Sequence, residues 1–377
     1  MSIPLSENTA KTSIFKHFSS IKDPRVNRQK KHQLEDIFFI TLCAVISGAD
    51  NWVLVETFGK AKKDWFTQQL GLENGIPSHD TFGDVFAAID TEAFSQCFSR
   101  WVADLSSLTS GEVIAIDGKT LRRSLDRASN KSAIHMVSAW AQQAGLVLGQ
   151  VKVDAKSNEI TAIPKLLKLL DLEGAIVTID AMGCQKEIAG QIVERQGDYV
   201  LSLKGNQGCL HEDVKTWFES SLAPEAGSVD FDKGHGRIET RTVCVSNEIN
   251  WLKERHPQWP GLRSILAVTS KREWQNRIET ETRYFISSLD GQNPEQLGKA
   301  VRAHWAVENS LHWVLDVAFD EDRSRARVGN SAANFAIIRH LALNMIKNEK
   351  STKVGVKTKR AKAGWDNDYL LKLLGIN

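Results

Sequence analysis

The sequence predicts an α/β protein: a catalytic α/β fold interrupted by a β-rich insertion and preceded by an all-α N-terminal domain. Three observations carry this expectation. Up to residue 105 the apolar residues recur at steps of three and four, as on helix faces. Beyond Gly111 short Val/Ile-rich runs alternate with turn residues and helical stretches. Strand-like runs then return between residues 237 and 287, where one more helix would be expected.

The elements follow in order. Leu34, Ile37, Phe38, Leu42, Val45 and Ile46 mark a buried helix that Gly48-Ala-Asp stops, and a second helix is predicted from Trp52 to Leu70. A third begins after Ser78, a suitable N-cap, with Asp80 favourable in its first turn. Together they form a helical module over 1–105, for which helix-turn-helix is one identity. Next come strands at Val113–Ile116, Ile134–Gln142 and Leu146–Val153, the last two joined by Gln143-Ala-Gly. A helix over Thr161–Leu170, a strand ending at Asp180, a helix over Lys186–Gln196 and a strand over Tyr199–Leu203 complete the segment 111–204. This order of elements resembles the ribonuclease-H-like fold. Segment 205–290 reads as the insertion, with strands at Arg237–Ser246, Ser264–Ser270 and Thr280–Ser287. Helical pattern resumes over 291–347, and 348–377 reads as a basic C-terminal tail: between Lys347 and Lys362 only Glu349 opposes six further cations from Lys350 to Lys362.

At 377 residues the chain is longer than one hydrophobic core usually serves, so two or three domains are expected. A formal charge of +2 rules out a uniformly basic coat and shifts attention to local clusters. The five cysteines are odd in number and lack paired zinc spacing, which fits reduced thiols in a cytoplasmic protein. Met1–Ala10 is polar, unlike a secretory leader, and Ile37–Ile46 is too short to span a bilayer, so no membrane partner is expected.

Asp117 and Asp180 each close a short apolar run and each precede a glycine within three residues. Each alone reads equally well as a turn former. Both together, at the ends of the first and fourth strands, become neighbours if those strands lie side by side. Glu308, in the helical stretch His304–Trp313, is a candidate third carboxylate; Asp316, Asp320, Glu321 and Asp322 are rival acids. His304 and His312 flank Glu308 at four residues on either side, but no His-Glu-x-x-His pattern supports zinc. Two or three carboxylates plus phosphate oxygens suit Mg²⁺, and two ions about 3.5–4 Å apart serve in-line phosphoryl transfer.

Longer motifs point the same way. Ile21-Lys-Asp-Pro-Arg, Ile76-Pro-Ser-His-Asp-Thr-Phe, Ala115-Ile-Asp-Gly-Lys-Thr-Leu-Arg, Ile179-Asp-Ala-Met-Gly-Cys-Gln, Leu203-Lys-Gly-Asn-Gln, Gly234-His-Gly-Arg-Ile-Glu-Thr-Arg, Phe319-Asp-Glu-Asp-Arg and Lys359-Arg-Ala-Lys-Ala-Gly-Trp occur in one order along nearly the whole chain. In these the sequence resembles insertion-sequence DDE transposases of the IS-As type, the group of the H-repeat-associated proteins. The resemblance implies a triad of Asp117, Asp180 and Glu308 that binds two Mg²⁺ ions, with Mn²⁺ as a substitute. It further implies cleavage at the element's terminal inverted repeats, strand transfer into target DNA, work as a homodimer or higher oligomer on DNA, and a place at the nucleoid. Many relatives carry Tyr-x2-Arg-x3-Glu-x6-Lys around the glutamate, whereas Val301, His304 and Leu315 stand in those places here. His304 and His312 are therefore candidates for the phosphate contacts. A nuclease that cuts without joining, and an inactive DNA-binding relic or regulator, are the alternatives.

DNA contacts need Arg, Lys, backbone amides and stacking surfaces. Lys119, Arg122 and Arg123 follow Asp117, and Lys204 and Asn206 follow a strand. Arg237 and Arg241 alternate along another strand, which puts them on one face. Trp305, beside Glu308, is a candidate to stack on an unpaired base.

Overall fold

The computed structural model describes residues 9–376 apart from 27–29, 106–107, 126–131, 155–156, 221, 226, 235 and 275–276. Most of the polar N-terminal stretch and His235 of the Gly234 motif lie outside the described residues. Six helices open the chain: α1 (Thr9–Phe18), α2 (Leu34–Ile46), α3 (Trp52–Ala61), α4 (Lys63–Leu70), α5 (His79–Ala88) and α6 (Thr91–Leu105). Helix α2 is apolar on every side and buried from Ile37 to Ile46, as expected of a helix enclosed by others. Ser78 caps α5 by accepting from the Thr81 amide at 3.3 Å. The single helix expected over 52–70 is two, because the chain turns at Lys62 and brings buried Phe66 against Phe39 and Phe58.

Next come β1 (Val113–Leu121), β2 (Ile134–Ala141), β3 (Leu146–Lys152), α7 (Glu159–Leu167), β4 (Ile176–Ile179), α8 (Lys186–Glu194) and β5 (Asp198–Leu203). They are followed by α9 (Gly208–Glu219), β6 (Ser228–Gly234), β7 (Arg237–Ser246), α10 (Asn250–Arg255), β8 (Ser264–Trp274) and β9 (Arg277–Ser287). All nine strands form one sheet in the order β3-β2-β1-β4-β5-β9-β8-β7-β6. Strands β1, β4 and β5 run parallel, with short hydrophobic stretches buried on both sides. β9 runs antiparallel to β5, pairing Val200 with Ser287. Segment 205–290 therefore differs from the expected run of strands: α9 follows β5 almost at once, and the later strands extend the first sheet.

The chain closes with α11 (Pro294–Val307), a π-helical turn over Glu308–His312, α12 (Trp313–Phe319), α13 (Ser331–Asn348), α14 (Val356–Trp365) and α15 (Asn367–Leu373). Helix α13 is buried from Ser331 to Ile346 and joins the two halves of the protein. Its Asn334 donates to the carbonyls of Phe86 and Ile89 at the end of α5. Its Asn344 both accepts from and donates to the backbone of Val147, satisfying the edge strand β3. The helical module is thus packed into the rest of the chain through a helix that comes from the far end of the sequence.

The basic tail is a further correction. Residues 356–373 fold into two helices, and the face Val356, Lys359, Arg360, Ala363 recurs at the steps that place side chains on one side. Lys359 is buried and pairs with Glu349 at 3.1 Å. Arg360, 3% exposed, donates to the carbonyls of Val45 and Ala318 and pairs with Asp50 at 2.8 Å, tying α14 to α2 and α12. Two cations of the run, Lys359 and Arg360, therefore hold structure together, while Lys350, Lys353 and Lys357 stay exposed on a folded segment. Arg360→Ala is expected to cost about 2–3 kcal/mol, because two carbonyls and a carboxylate lose a charged donor; urea unfolding of the intact chain measures it.

Candidate active site

β1 and β4 pair in parallel from Val113↔Ile176 to Ile116↔Ile179, so Asp117 and Asp180 are the next residues along two adjacent strands. Pairing in space brings together what the sequence separates. Unlike the expected strand end, Asp117 lies inside β1: the strand continues to Leu121 against β2, with Asp117 opposite Ser138. Gly118 is fixed by packing, since a Cβ there would overlap both Glu159 and His135, which are bonded to each other at 2.6 Å. Asp180 does act as a turn former, its Oδ1 accepting from the amides of Met182 and Gly183 at 3.1 and 3.3 Å. The two readings of this residue are compatible, because the turn fixes the carboxylate beside β1.

Burial pushes the Asp117 carboxyl up to about 6; Glu159 and Asp180 add to this, while His312 and the Gly118 amide oppose it. The half-buried His304 stands next to this pair, its Nδ1 3.2 Å from Thr178 Oγ1. Burial lowers its basicity, although Asp180 pulls the other way. His304 thus reaches from α11 to Thr178 of β4 near Asp180, apart from the residues that line the open groove described below.

Helix α11 crosses β1, β4 and β5 and delivers Glu308 at its end. Buried Ala303, Val307, Leu311 and Leu315 are spaced by four three times in succession. In a straight α-helix this would drift by about 120° around the axis at 100° per residue. The π turn at Glu308–His312 takes up the drift and keeps one apolar face on the sheet. Glu308 is 70% exposed, whereas His312 is 6% exposed with Nδ1 at 3.0 Å from Glu308 Oε2 and 3.6 Å from Asp117 Oδ2. One ligand atom from each of Asp117, Glu308 and His312 falls within 4.8 Å of the others, a spread that a single cation can span. Among the rival acids, Asp316 and Glu321 bind Lys119. Asp320 caps α12 in the left-handed conformation, and Asp322 lies 3.4 Å from Arg122.

A family model for the transposase DDE domain matches residues 108–345, and one for the segment associated with that domain matches residues 15–102. The chain belongs to the DDE transposase family. It is 44% identical over 368 residues to "Putative transposase YncI" of Escherichia coli O157:H7, covering 96% of this chain and 94% of that protein. It is 43% identical to "H repeat-associated putative transposase YhhI" of Escherichia coli strain K12, covering 96% and 97%. Among solved structures, a piggyBac transposase synaptic complex with hairpin DNA aligns over 98% of this chain and 78% of that chain, with 12% identity and a TM-score of 0.44.

In this DDE transposase the other candidate residues separate into four groups. Lys119 is largely buried: it sits two residues beyond Asp117 on the same strand face, packs under α12, and contacts Asp316 at 2.5 Å and Glu321 at 3.0 Å. Glu321 and Asp316 hold its pKa above the ordinary lysine value although burial works against the charge. Asn206 donates to the carbonyl of Ala181 at 2.7 Å, and Gln207 to that of Cys184 at 2.9 Å, so the turn after β5 holds the Asp180 loop. Lys204, Arg122 and Arg123 are exposed. Arg237 and Arg241 do share a face: they line a groove of about 620 Å³ that also contains Trp305 and Glu308.

The groove holds further basic residues that the sequence reading passed over, namely Arg272, Arg283, Lys299 and Arg302. The Arg283 guanidinium lies 4.2 Å from the Trp305 ring centre. Arg302 pairs with Asp230 and Asp232, and Arg241 with Asp230 and Glu239. The alternation of Ser270 with Arg272 on β8 and of Arg283 with Phe285 on β9 was the available signal, since both pairs fall on one sheet face. No helix among the described residues is long and apolar enough to cross a membrane.

Proposed function

We propose that this transposase cleaves phosphodiesters at the ends of its own element and joins the freed 3′ hydroxyls to target DNA, using Asp117, Asp180 and Glu308 to hold divalent metal. The observation that carries the reading is the convergence of ligand atoms of Asp117 and Glu308 within 4.8 Å, while Asp180, the first residue after β4, follows the strand paired with β1 and lies outside that cluster. The donor set fits a divalent cation: oxygens of the partly buried Asp117 and the exposed Glu308 lie within 4.8 Å of each other, and burial opposes ionisation of Asp117. A divalent ion, Mg²⁺ or Mn²⁺, is expected there. When bound, such ions lower the cost of negative charge on the attacking and leaving oxygens. The strand order β3-β2-β1-β4-β5, with β1, β4 and β5 parallel, supports a ribonuclease-H-like core, with 205–290 inserted before the glutamate helix.

The chain's own residues position the parts. Asn206 and Gln207 clamp the Asp180 loop, and the π turn sets Glu308 opposite β1. The groove beside Glu308 receives the DNA backbone. Arg302 is held in half-exposed ion pairs with Asp230 and Asp232 that contribute little to stability, so phosphates can replace these carboxylates as its partners, whereas Arg241 and Arg272 also hold the buried Glu239. Trp305, 53% exposed, offers a stacking surface at the groove wall. Joining two ends of one element calls for at least two protomers on DNA.

Incubation with Mg²⁺ and DNA carrying the element's ends tests the reading. End cleavage and joining by the wild type, both lost in Asp117→Ala, support it. Cleavage without joining supports the nuclease alternative, and binding with neither step supports an inactive regulator.

A further inference from the structure

We propose that His312 is a direct nitrogen ligand of the ion held by Asp117 and Glu308, making this a mixed carboxylate–imidazole site that favours first-row transition ions such as Mn²⁺ over Mg²⁺. This rests on the metal-dependent reading of Asp117, Asp180 and Glu308 given above. Two ligands at right angles around one ion, each about 2.1 Å away, are roughly 3.0 Å apart. His312 Nδ1 lies 3.0 Å from Glu308 Oε2, a hydrogen-bond contact that a bound ion would replace, and 3.6 Å from Asp117 Oδ2, so the three atoms stand near positions that one ion can share.

The other side of the ring supports the same role. With Nδ1 as a ligand, the neutral imidazole carries its proton on Nε2 and needs an acceptor there. Nε2 is buried and has no hydrogen-bond partner, and Oε1 of Glu321 is likewise buried without one. His312 and Glu321 line the same small cavity of about 10 Å³, with Lys119, Ser138 and His340 around it. That volume is near the smallest that holds one water, enough to link the Nε2 proton to the carboxylate. A ligand imidazole backed by a carboxylate is a common arrangement of protein metal sites. His312 is also fixed in place by burial in the π turn, so binding an ion requires little ordering. Imidazole in place of an oxygen ligand shifts preference away from Mg²⁺, which is best served by carboxylate and water.

Electron spin echo spectroscopy of Mn²⁺ bound to the full-length protein reads the coordination directly. The expected result is ¹⁴N modulation from a bound imidazole in the wild type that persists in His304→Asn and His135→Gln and is lost in His312→Gln. Calorimetry should show Mn²⁺ affinity falling about tenfold or more in His312→Gln, with a smaller change for Mg²⁺. Should His312→Gln fail to fold, the wild type and the two control variants still decide the assignment. Mn²⁺ bound to the wild type without nitrogen coupling, or coupling that disappears in His304→Asn or His135→Gln, overturns the inference and leaves the carboxylate site standing. A wild type that binds no Mn²⁺ overturns both.

Discussion

Asp117→Asn is expected to make the metal-free protein more stable at pH 7.5 while abolishing its chemistry. The Asp117 carboxyl is raised from 3.8 to about 6, so the folded state holds this proton more tightly than the unfolded chain does. Ionisation therefore penalises folding. The penalty is absent below about pH 4, where both states are protonated, grows as pH rises toward 6, and is complete above it. Two units correspond to about 3 kcal/mol, which sets the upper end of the gain on removing the charge. Asparagine escapes the penalty but is a poor metal ligand. Adding Mn²⁺ or Mg²⁺ at about 100 times its dissociation constant should stabilise the wild type by about 2.7 kcal/mol and the variant far less. The order of stability should therefore narrow or reverse on adding metal, and end cleavage should fall at least about a thousandfold, from the loss of several kcal/mol of charge stabilisation. Thermal unfolding of both proteins with and without metal measures the first part. A variant less stable than the wild type at pH 7.5 without metal, or equally stabilised by metal, would contradict it.

The second large effect concerns Lys119→Met. Glu321 is 2% exposed and finds its close partner in Lys119; Arg339 is farther, at 3.8 Å. Burial opposes ionisation of Glu321, yet Lys119, Arg339 and His340 together hold its pKa below the ordinary value. Removing the ammonium leaves a buried charge with weakened compensation, at an expected cost of 3–5 kcal/mol. The sign with pH follows: in the variant Glu321 folds more readily when protonated, so the deficit should shrink as pH falls. Lys119→Met/Glu321→Gln should recover much of the loss, since it removes both charges. Urea unfolding of the single and double variants checks this. A Lys119 that served only as a DNA contact would give the opposite pattern, with stability retained and DNA affinity reduced.

The contrast at Lys119 shows why some of the site was legible and some was not. The runs Val113–Ile116 and Ile176–Ile179 announce strands because β-branched residues buried on both faces leave few alternatives. Parallel neighbours then align Asp117 with Asp180. Gly118-Lys-Thr-Leu, however, looks like a turn, and only its pairing with β2 from across the sheet makes it strand. That extension moves Lys119 from a loop beside the carboxylates to the strand face beneath α12.

Glu308 and His312 were visible as a pair four residues apart, but a regular helical wheel makes Glu308 half-buried. The π turn leaves it exposed and buries His312 instead. The apolar spacing of four, three times over, was the clue in the sequence. The C-terminal segment misled for another reason: counting charges hides position. Lys359 and Arg360 fall on the apolar face of α14, and their partners Glu349, Val45, Asp50 and Ala318 lie up to 315 residues away in sequence.

Under the proposed function, carboxylates from β1, the turn after β4 and the π turn share divalent metal. Anomalous diffraction from crystals of the full-length protein soaked in Mn²⁺ tests this most directly. The expected result is a peak bounded by Asp117, Asp180 and Glu308, absent from crystals of Asp117→Asn. A peak confined to the acids around Asp316, Asp320 and Asp322, or one at the site that survives the substitution unchanged, would contradict it.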